Sequence, residues 1–205
     1  MTTDTNPNQN LKSDPLHLTV ILGSVREGRF GPVVADWITE QATAHGAFEV
    51  TTVDLADVDL PPALPATPPA LDPDPERPAG MAPLTRALDD ADAIVVVTPD
   101  YNRSIPASLK TAIDWHFTQW QRKAIGFVGY SGASGGILAI EHLRQIFGEL
   151  QAHTIRDYVS FPRYYQHFDE TGAWAAPDDQ EAAAKAMLDE LHWWAETLHH
   201  ARRRM

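Results

Sequence analysis

The run at residues 93–97 (AIVVV) constrains the fold of this chain more than any other sequence feature. Its residues are apolar without a break and mostly β-branched, which is typical of a strand that is buried on both faces. Such a strand lies inside a parallel sheet, so other segments must supply helices for both sides of that sheet. Further β-branched or alternating apolar runs predict four more strands, at residues 17–22, 48–55, 124–130 and 154–161.

Helical patterns separate these strands along the chain. Residues 32–44, for example, place Val34, Trp37 and Ile38 at helical spacing, and Gly46 follows as a stop signal. The five predicted helices span residues 32–44, 84–91, 104–116, 136–150 and 179–203. We therefore expect an α/β fold: a flavodoxin-like three-layer sandwich with a five-stranded parallel sheet in the order 2-1-3-4-5.

The length of 205 residues suits one domain with a substantial core. We expect residues 1–15, which are polar and contain two prolines, to be a disordered lead-in, and residues 16–205 to form the domain. Residues 61–83 hold nine of the sixteen prolines. Because proline interrupts helices and central strands, this segment is predicted to be one long surface loop.

The composition excludes several classes of function. The sequence contains no cysteine, so disulfides, thiolate metal sites and cysteine nucleophiles are excluded, and its nine histidines show no paired metal-ligand spacing. A formal net charge of −12 opposes binding to nucleic acid or to an anionic membrane. The chain has neither an apolar run of transmembrane length nor the apolar core of a signal peptide. We therefore expect a cytoplasmic protein.

Three loops carry the unusual residues, and they follow strands one, three and four, which are neighbours in the expected order. Ligands of such sheets bind beyond the carboxyl ends of the strands, where the strand order reverses. Residues 23–31 (GSVREGRFG) combine glycines, a serine and two arginines before a helix, which is typical of a phosphate site. Residues 98–106 (TPDYNRSIP) hold an aromatic ring and an amide between prolines, and residues 130–136 (YSGASGG) let backbone amides approach a ligand closely.

Together the three loops predict a phosphate pocket beside a flat, amide-lined slot, which suits a mononucleotide with an aromatic ring system. FMN fits better than a nucleoside triphosphate, because no Asp-rich magnesium constellation accompanies the first loop. That loop has the glycine spacing of a Walker motif but lacks its Lys and Ser/Thr, and it is not a G-x-G-x-x-G turn. Each loop taken alone is also compatible with an ordinary turn.

At these residues the chain resembles the NADPH-dependent FMN reductase family of the flavodoxin-like superfamily. The resemblance covers roughly residues 17–161 and rests on LGSVREGRFG, TPDYNRSIPASLKTAIDW and GYSGASGG, of which the second is the longest and most specific. It implies bound FMN, NADPH or NADH as electron donor, and hydride transfer to a flavin, quinone, azo or nitro compound or similar small oxidant. It also implies a homodimer or homotetramer. No catalytic side chain is expected, since the cofactor carries the chemistry.

The resemblance further implies which residues hold the cofactors. The FMN phosphate would be held by Ser24, Arg26 and the loop through Arg29. Phe30 and Gly31, which follow directly, are also expected to bind the cofactor. The ring system would be flanked by Pro99, Asp100, Tyr101 and Asn102 and lined at its far edge by Ser131, Gly132, Ala133, Ser134 and Gly135. Arg103, at the mouth of the site, and Arg29 are expected to bind the 2′-phosphate of NADPH. Arg29 stands where many members of the family carry a phosphate-binding serine.

Two other functions are compatible with the sequence. Residues 129–133 (GYSGA) nearly match the G-x-S-x-G nucleophile elbow, which would make Ser131 the nucleophile of a serine hydrolase. The remaining members of its triad would be Asp157 or Asp169, and His192 or His199. A flavodoxin-like electron carrier without enzymatic activity would suit the acidic charge, because such carriers dock on basic partners.

Overall fold

The computed structural model describes residues 15–72 and 75–204. Its five strands are β1 (Leu16–Leu22), β2 (Phe48–Asp54), β3 (Ala93–Pro99), β4 (Ala124–Ser131) and β5 (His153–Pro162). They form one sheet in the order β2-β1-β3-β4-β5, and every neighbouring pair is parallel. The strand order and direction predicted from the sequence are therefore confirmed. The expected lead-in lies outside the described residues except for Pro15, so the division at residue 15 stays a prediction.

Helices cover both faces of the sheet. They are α1 (Gly31–His45), α2 (Ala82–Asp90), α3 (Ala107–Asp114), α4 (Ile137–Glu149) and α5 (Asp178–Arg202). Helices α1 and α5 pack on one face, and α2, α3 and α4 pack on the other. In β3, Val95 and Val97 face the first layer, whereas Ile94 and Val96 face the second, and all four are fully buried. Burial on both faces is the physical reason for the unbroken apolar run in this strand.

The predicted start of the third helix was wrong by three residues. Helix α3 begins at Ala107 because Pro106 has an extended backbone and Ser104 belongs to a tight turn. In that turn the backbone groups of Tyr101 and Ser104 bond each other in both directions, at 2.8 and 3.0 Å. Asn102, between them, has a left-handed backbone with φ of 51°. The loop after β3 therefore ends in a rigid turn before the helix starts.

The described part of the proline-rich segment is mainly irregular, although helix α2 begins at its end, at Ala82. The segment is anchored to the end of α3. The indole nitrogen of Trp115 donates to the carbonyl of Pro61 at 2.9 Å, and Arg77 Nε donates to the carbonyl of Trp115 at 3.1 Å. Within the ranges that the structure describes, no helix combines the length and the apolarity that a membrane crossing requires.

Candidate cofactor site

The three loops meet in one cavity at the carboxyl edge of the sheet. Ten residues line it: Arg26, Arg29 and Phe30 of the first loop, Pro99, Asp100 and Tyr101 of the second, Tyr130, Ser131 and Gly132 of the third, and Tyr164, which follows β5. Eight of these ten belong to the set that the sequence predicted as cofactor-binding. The structure thus brings the three loops together, as expected from the strand order.

Arg29 presents a buried hydrogen-bond donor without an acceptor. Its terminal guanidinium nitrogen Nη2 bonds the carboxylate of Asp54, the last residue of β2. Its Nε is also buried, but no described residue accepts a hydrogen bond from it. Buried guanidinium donors are normally satisfied, and an oxyanion is the acceptor that they bind most strongly. An oxyanion is therefore an acceptor that suits this unpartnered donor.

In the rest of the first loop, backbone amides offer more free hydrogen-bond donors for a ligand than the side chains do. The guanidinium of Arg26 is exposed and folds back onto its own loop, donating to the carbonyls of Glu27 at 2.8 Å and Gly28 at 3.3 Å. Among the described residues, no acceptor pairs with the backbone amides of residues 25–28. Ser24 is fully buried, and its hydroxyl lies 3.1 Å from that of Tyr130, so it supports the cavity wall from behind.

Aromatic rings form one wall of the cavity. Phe30 stacks on Tyr164 with centroids 4.3 Å apart and packs edge-on against Tyr130 at 5.8 Å and Trp174 at 5.5 Å. Burial raises the pKa of Tyr130 to about 12, so its hydroxyl keeps its proton at neutral pH. The wall is therefore built mainly from the faces and edges of aromatic rings, and the hydroxyl of Tyr130 in it is uncharged.

Asp100 connects the second loop to the third. Its Oδ1 accepts the backbone amide of Ala139, in the first turn of α4, at 2.7 Å, and its Oδ2 accepts the hydroxyl of Ser134. The N-cap residue of α4, Gly136, has no side chain to satisfy these amides, so Asp100 performs that role from another loop. Asp100 thus holds the two loops in register while forming part of the cavity lining.

Seven predicted residues do not line the cavity: Ser24, Gly31, which is the first residue of α1, and five residues of the second and third loops. Asn102 and Arg103 are exposed in the tight turn, where both have left-handed backbones. Ala133 and Ser134 lie in the third loop, and the carbonyl of Gly135 accepts the hydroxyl of Ser160 in β5 at 3.0 Å. The cofactor contacts predicted for these residues stay predictions.

Sequence reasoning missed Tyr130 and Tyr164 as lining residues. Strand alternation from Val128 places Tyr130 on the α1 face of the sheet, directly at the carboxyl edge. Tyr164 follows β5, which neighbours β4 in the sheet. The expected strand order therefore contained the signal for Tyr164, because a fourth strand end reaches the same edge.

The cavity is small and open to solvent. Its volume of 120 Å³ is below the roughly 300–1,000 Å³ typical of pockets that enclose a drug-sized ligand. A larger ligand bound here would therefore be partly exposed to solvent. A groove of 660 Å³ between α1 and α5 is larger, but none of its lining residues belongs to the three loops.

The structure does not assemble a hydrolase triad. The hydroxyl of Ser131 is 2.9 Å from that of Ser134 and contacts no described histidine. His199 bonds Asp92, which precedes β3 at the amino edge of the sheet. His192 packs on Phe48 at the start of β2, again at the amino edge. Both histidines therefore lie at the opposite end of the sheet from Ser131.

A doubly wound, five-stranded parallel sheet with a cavity at the carboxyl ends of its strands is typical of the flavodoxin-like class of α/β proteins. Within that class, the chain belongs to the NADPH-dependent FMN reductase family, whose model matches residues 16–166. The resemblance seen in the three loops is thus confirmed. The protein is an oxidoreductase of this family, and its cofactors are FMN and NAD(P)H.

Individual proteins agree with this assignment. An NAD(P)H-dependent FMN reductase of Schizosaccharomyces pombe is 33% identical over 154 residues, which cover 71% of this chain and 72% of the relative. A quinone reductase of Escherichia coli is 33% identical over 150 residues, which cover 68% and 73%. The solved structure of FerB, a flavoenzyme NAD(P)H:acceptor oxidoreductase from Paracoccus denitrificans, matches with a TM-score of 0.67 at 22% identity, over 89% of this chain and 98% of that one.

The residues around the cavity fit FMN. The buried Nε–H of Arg29 and the amides of residues 25–28 are donors suited to a phosphate. Tyr101 and the aromatic wall offer surfaces for a flat ring, and Gly132 leaves room for it, since a Cβ at that position would have no neighbour within 4 Å. Within the described residues, no group of three or more metal-ligating side chains is placed to hold a metal ion.

Proposed function

We propose that this protein transfers two electrons from NAD(P)H, through FMN held in the cavity, to a quinone or a similar small oxidant such as a free flavin, an azo compound or a nitro compound. The observation that carries this proposal is the buried, unpartnered Nε–H of Arg29 beside an aromatic wall at the carboxyl edge of the sheet. The names of the S. pombe and E. coli relatives support flavin and quinone as acceptors.

In this proposal Arg29 binds the phosphate of FMN and Asp54 positions Arg29. The Asp54 carboxylate fixes one end of the guanidinium, so the Nε–H keeps a single direction. The amides of residues 25–28 add dipoles of the same sign, as is usual where a loop precedes a helix. A guanidinium therefore takes over the task that serine performs in many relatives.

Pro99, Tyr101, Ser131 and Gly132 would hold the ring system against the aromatic wall. When bound, FMN supplies hydride transfer between the nicotinamide and the acceptor. The protein contributes the position of the ring system and the electrostatics around it. The hydroxyl of Tyr130 keeps its proton near neutral pH, because burial raises its pKa to about 12.

Arg103 is the better of the two arginines for the 2′-phosphate of NADPH. Its side chain is exposed in the turn that follows the cavity residue Tyr101, whereas Arg29 is largely buried and paired with Asp54. Assembly into a homodimer or homotetramer and a cytoplasmic location stay predictions. The oligomeric state is measured by light scattering of the purified chain.

The first test is a visible absorption spectrum of the purified protein, recorded alone, after addition of FMN and then after addition of NADPH. We expect a flavin spectrum that stays with the protein through gel filtration and bleaches with NADPH under anaerobic conditions. Benzoquinone should then restore the oxidised spectrum. A protein that takes up no FMN, or whose flavin is not reduced by NADPH or NADH, would contradict the proposal.

The second test asks whether Arg29 binds the phosphate. FMN and riboflavin differ only by that phosphate, so the ratio of their dissociation constants isolates its contribution. In the wild type the dissociation constant of riboflavin should exceed that of FMN. Arg29→Ala should reduce this riboflavin-to-FMN ratio on the order of tenfold or more, with little change in the dissociation constant of riboflavin. Arg103→Ala is the matched control: it should leave the ratio unchanged and instead raise KM for NADPH but not for NADH. Equal ratios in the wild type and Arg29→Ala would exclude Arg29 as the phosphate ligand.

A further inference from the structure

Three side chains form a hydrogen-bonded chain that ends in the cavity. The carboxylate of Asp100 accepts the hydroxyl of Ser134, whose oxygen lies 2.9 Å from the hydroxyl oxygen of Ser131. Asp100 and Ser131 line the cavity, and Ser134 connects them. The second carboxylate oxygen of Asp100 is bonded to the backbone amide of Ala139 at 2.7 Å, so the orientation of the carboxylate is fixed.

The number of protons fixes the direction of every bond in this chain. A carboxylate can only accept hydrogen bonds, and a serine hydroxyl has one proton. Because Ser134 donates its proton to Asp100, the bond between the two serines must be donated by Ser131. The Ser131 oxygen then has only lone pairs left to offer a ligand. Ser131 therefore faces the cavity as a hydrogen-bond acceptor.

We infer that Asp100, acting through Ser134, sets Ser131 as an acceptor for a ring N–H of the ligand, and that this selects the N3–H of oxidised flavin. The inference rests on the proposed function for the identity of the ligand. The oxidised isoalloxazine ring has one N–H group, at N3, while its other polar ring atoms are acceptors. Asp100 is thus a positioning residue, and Ser131 makes the ligand contact.

Asparagine at position 100 should reverse the direction of the hydrogen bonds that link residues 100, 134 and 131. Its amide oxygen can still accept the Ala139 amide, but its NH₂ group donates to Ser134 instead of accepting from it. Ser134 then donates to Ser131, and Ser131 points its own proton into the cavity. The N3–H group of flavin would meet a donor, so Asp100→Asn should weaken FMN binding through Ser131 although position 100 still has a capping side chain.

The experiment compares FMN with 3-methyl-FMN, in which a methyl group replaces the N3 proton. Dissociation constants are measured on the full chain, freed of flavin, by quenching of flavin fluorescence. The wild type should prefer FMN by roughly tenfold, the value of one hydrogen bond whose loss leaves a buried group unpaired. In Ser131→Ala and in Asp100→Asn the preference should fall to about onefold to twofold, because neither presents an acceptor to N3.

Ser160→Ala is the matched control, since it removes a hydroxyl that bonds the same loop, at the carbonyl of Gly135, but lies outside the chain of three. It should keep the wild-type preference. If Asp100→Asn only loosens the loops, the binding of FMN and of 3-methyl-FMN should weaken by the same factor, and the preference should stay at its wild-type value. That result would overturn the inference. The inference is also overturned if Ser131→Ala keeps that preference. Failure of the wild type to bind FMN at all would instead overturn the proposed function.

Discussion

Two glycines four residues apart in the third loop have different structural reasons to be glycine. Gly136 has a φ of +90°, and a Cβ there would lie 2.4 Å from the Cα of Gly129, at the point where α4 starts against β4. Gly132 lines the cavity, and a Cβ there would have no neighbour within 4 Å. Gly136 is therefore needed for the close packing of α4 against β4, whereas Gly132 lies in the cavity lining with open space around it.

Alanine at each of these positions should therefore separate stability from binding. Gly136→Ala should lower the free energy of unfolding by about 2–4 kcal/mol, through a left-handed backbone with a side chain and a backbone clash. Gly132→Ala should leave the free energy of unfolding within about 0.5 kcal/mol of the wild type and weaken FMN binding, because its methyl group projects into the cavity. Urea denaturation and fluorescence titration measure the two effects. Similar losses of stability in both variants would contradict this division.

At the scale of elements, the end of helix α5 is fastened to the amino edge of the sheet through Asp92. The carboxylate of Asp92 bonds His199 Nδ1 at 2.6 Å and Arg202 Nη2 at 2.7 Å, and it accepts the backbone amide of His17 at 3.1 Å. Burial raises the pKa of Asp92, but the bonds from His199 and His17 and the charges of His199 and Arg202 outweigh it, so the net shift is downward. This stabilisation is present above the ordinary Asp pKa and is lost as the pH falls below it.

Asp92→Asn should therefore lower Tm by about 4–8 °C, which corresponds to about 2 kcal/mol in a chain of this length. Lys185→Gln is the control on the same helix: Lys185 pairs with Asp189 at 2.6 Å, but both side chains are at least half exposed, and such pairs contribute little. Calorimetry at pH 7 gives both values. FMN affinity should be unchanged in Asp92→Asn, because Asp92 lies at the opposite edge of the sheet from the cavity. Equal Tm values for the two variants would show that the α5 tether does not stabilise the fold.

The elements could be predicted because β-branched runs and helical spacing are local patterns. Other features depend on contacts that are distant in sequence. β5 bulges opposite β4, where Ile125 pairs with Thr154 but Phe127 pairs with Tyr158. Arg144 of α4 satisfies the bulge by donating to the carbonyls of Ile155 and Arg156, at 2.5 and 2.9 Å. No local pattern signals this bond, and the bulge was not predicted.

At the scale of the whole molecule, the topology predicted which loops meet but not what each side chain does there. Arg29 belongs to the predicted site, yet its pairing with Asp54 depends on β2 lying next to β1. Asp100 was predicted as a ring contact, and the structure adds its bond to the first turn of α4. Side-chain partners of this kind follow from three-dimensional proximity, so they become visible only once the layers are assembled.

The stability of the whole molecule should depend on pH through His116, which follows α3 and lies in the core. Its Nδ1–H donates to the carbonyl of Ala112 at 2.8 Å, its Nε2 lies 2.9 Å from the hydroxyl of Thr85 on α2, and 1% of the residue is exposed. Burial lowers the pKa of His116 to about 4. Since the unfolded chain protonates this ring near pH 6.5, stability is complete above that pH and falls as the pH drops toward 4.

The loss attributable to His116 should amount to about 3 kcal/mol between pH 7 and pH 4, because each unit of pKa difference is worth about 1.4 kcal/mol. Urea denaturation at half-unit pH steps measures it. His116→Gln, which carries no titrating ring, should be less stable than the wild type at pH 7 but should show a flatter decline toward pH 4. His200→Gln makes the same substitution at an exposed position on α5 and should keep the wild-type decline. If stability declines with falling pH as steeply in His116→Gln as in the wild type, other groups cause the acid sensitivity. His153 would then be the next residue to replace, because it is partly buried and burial lowers its pKa as well.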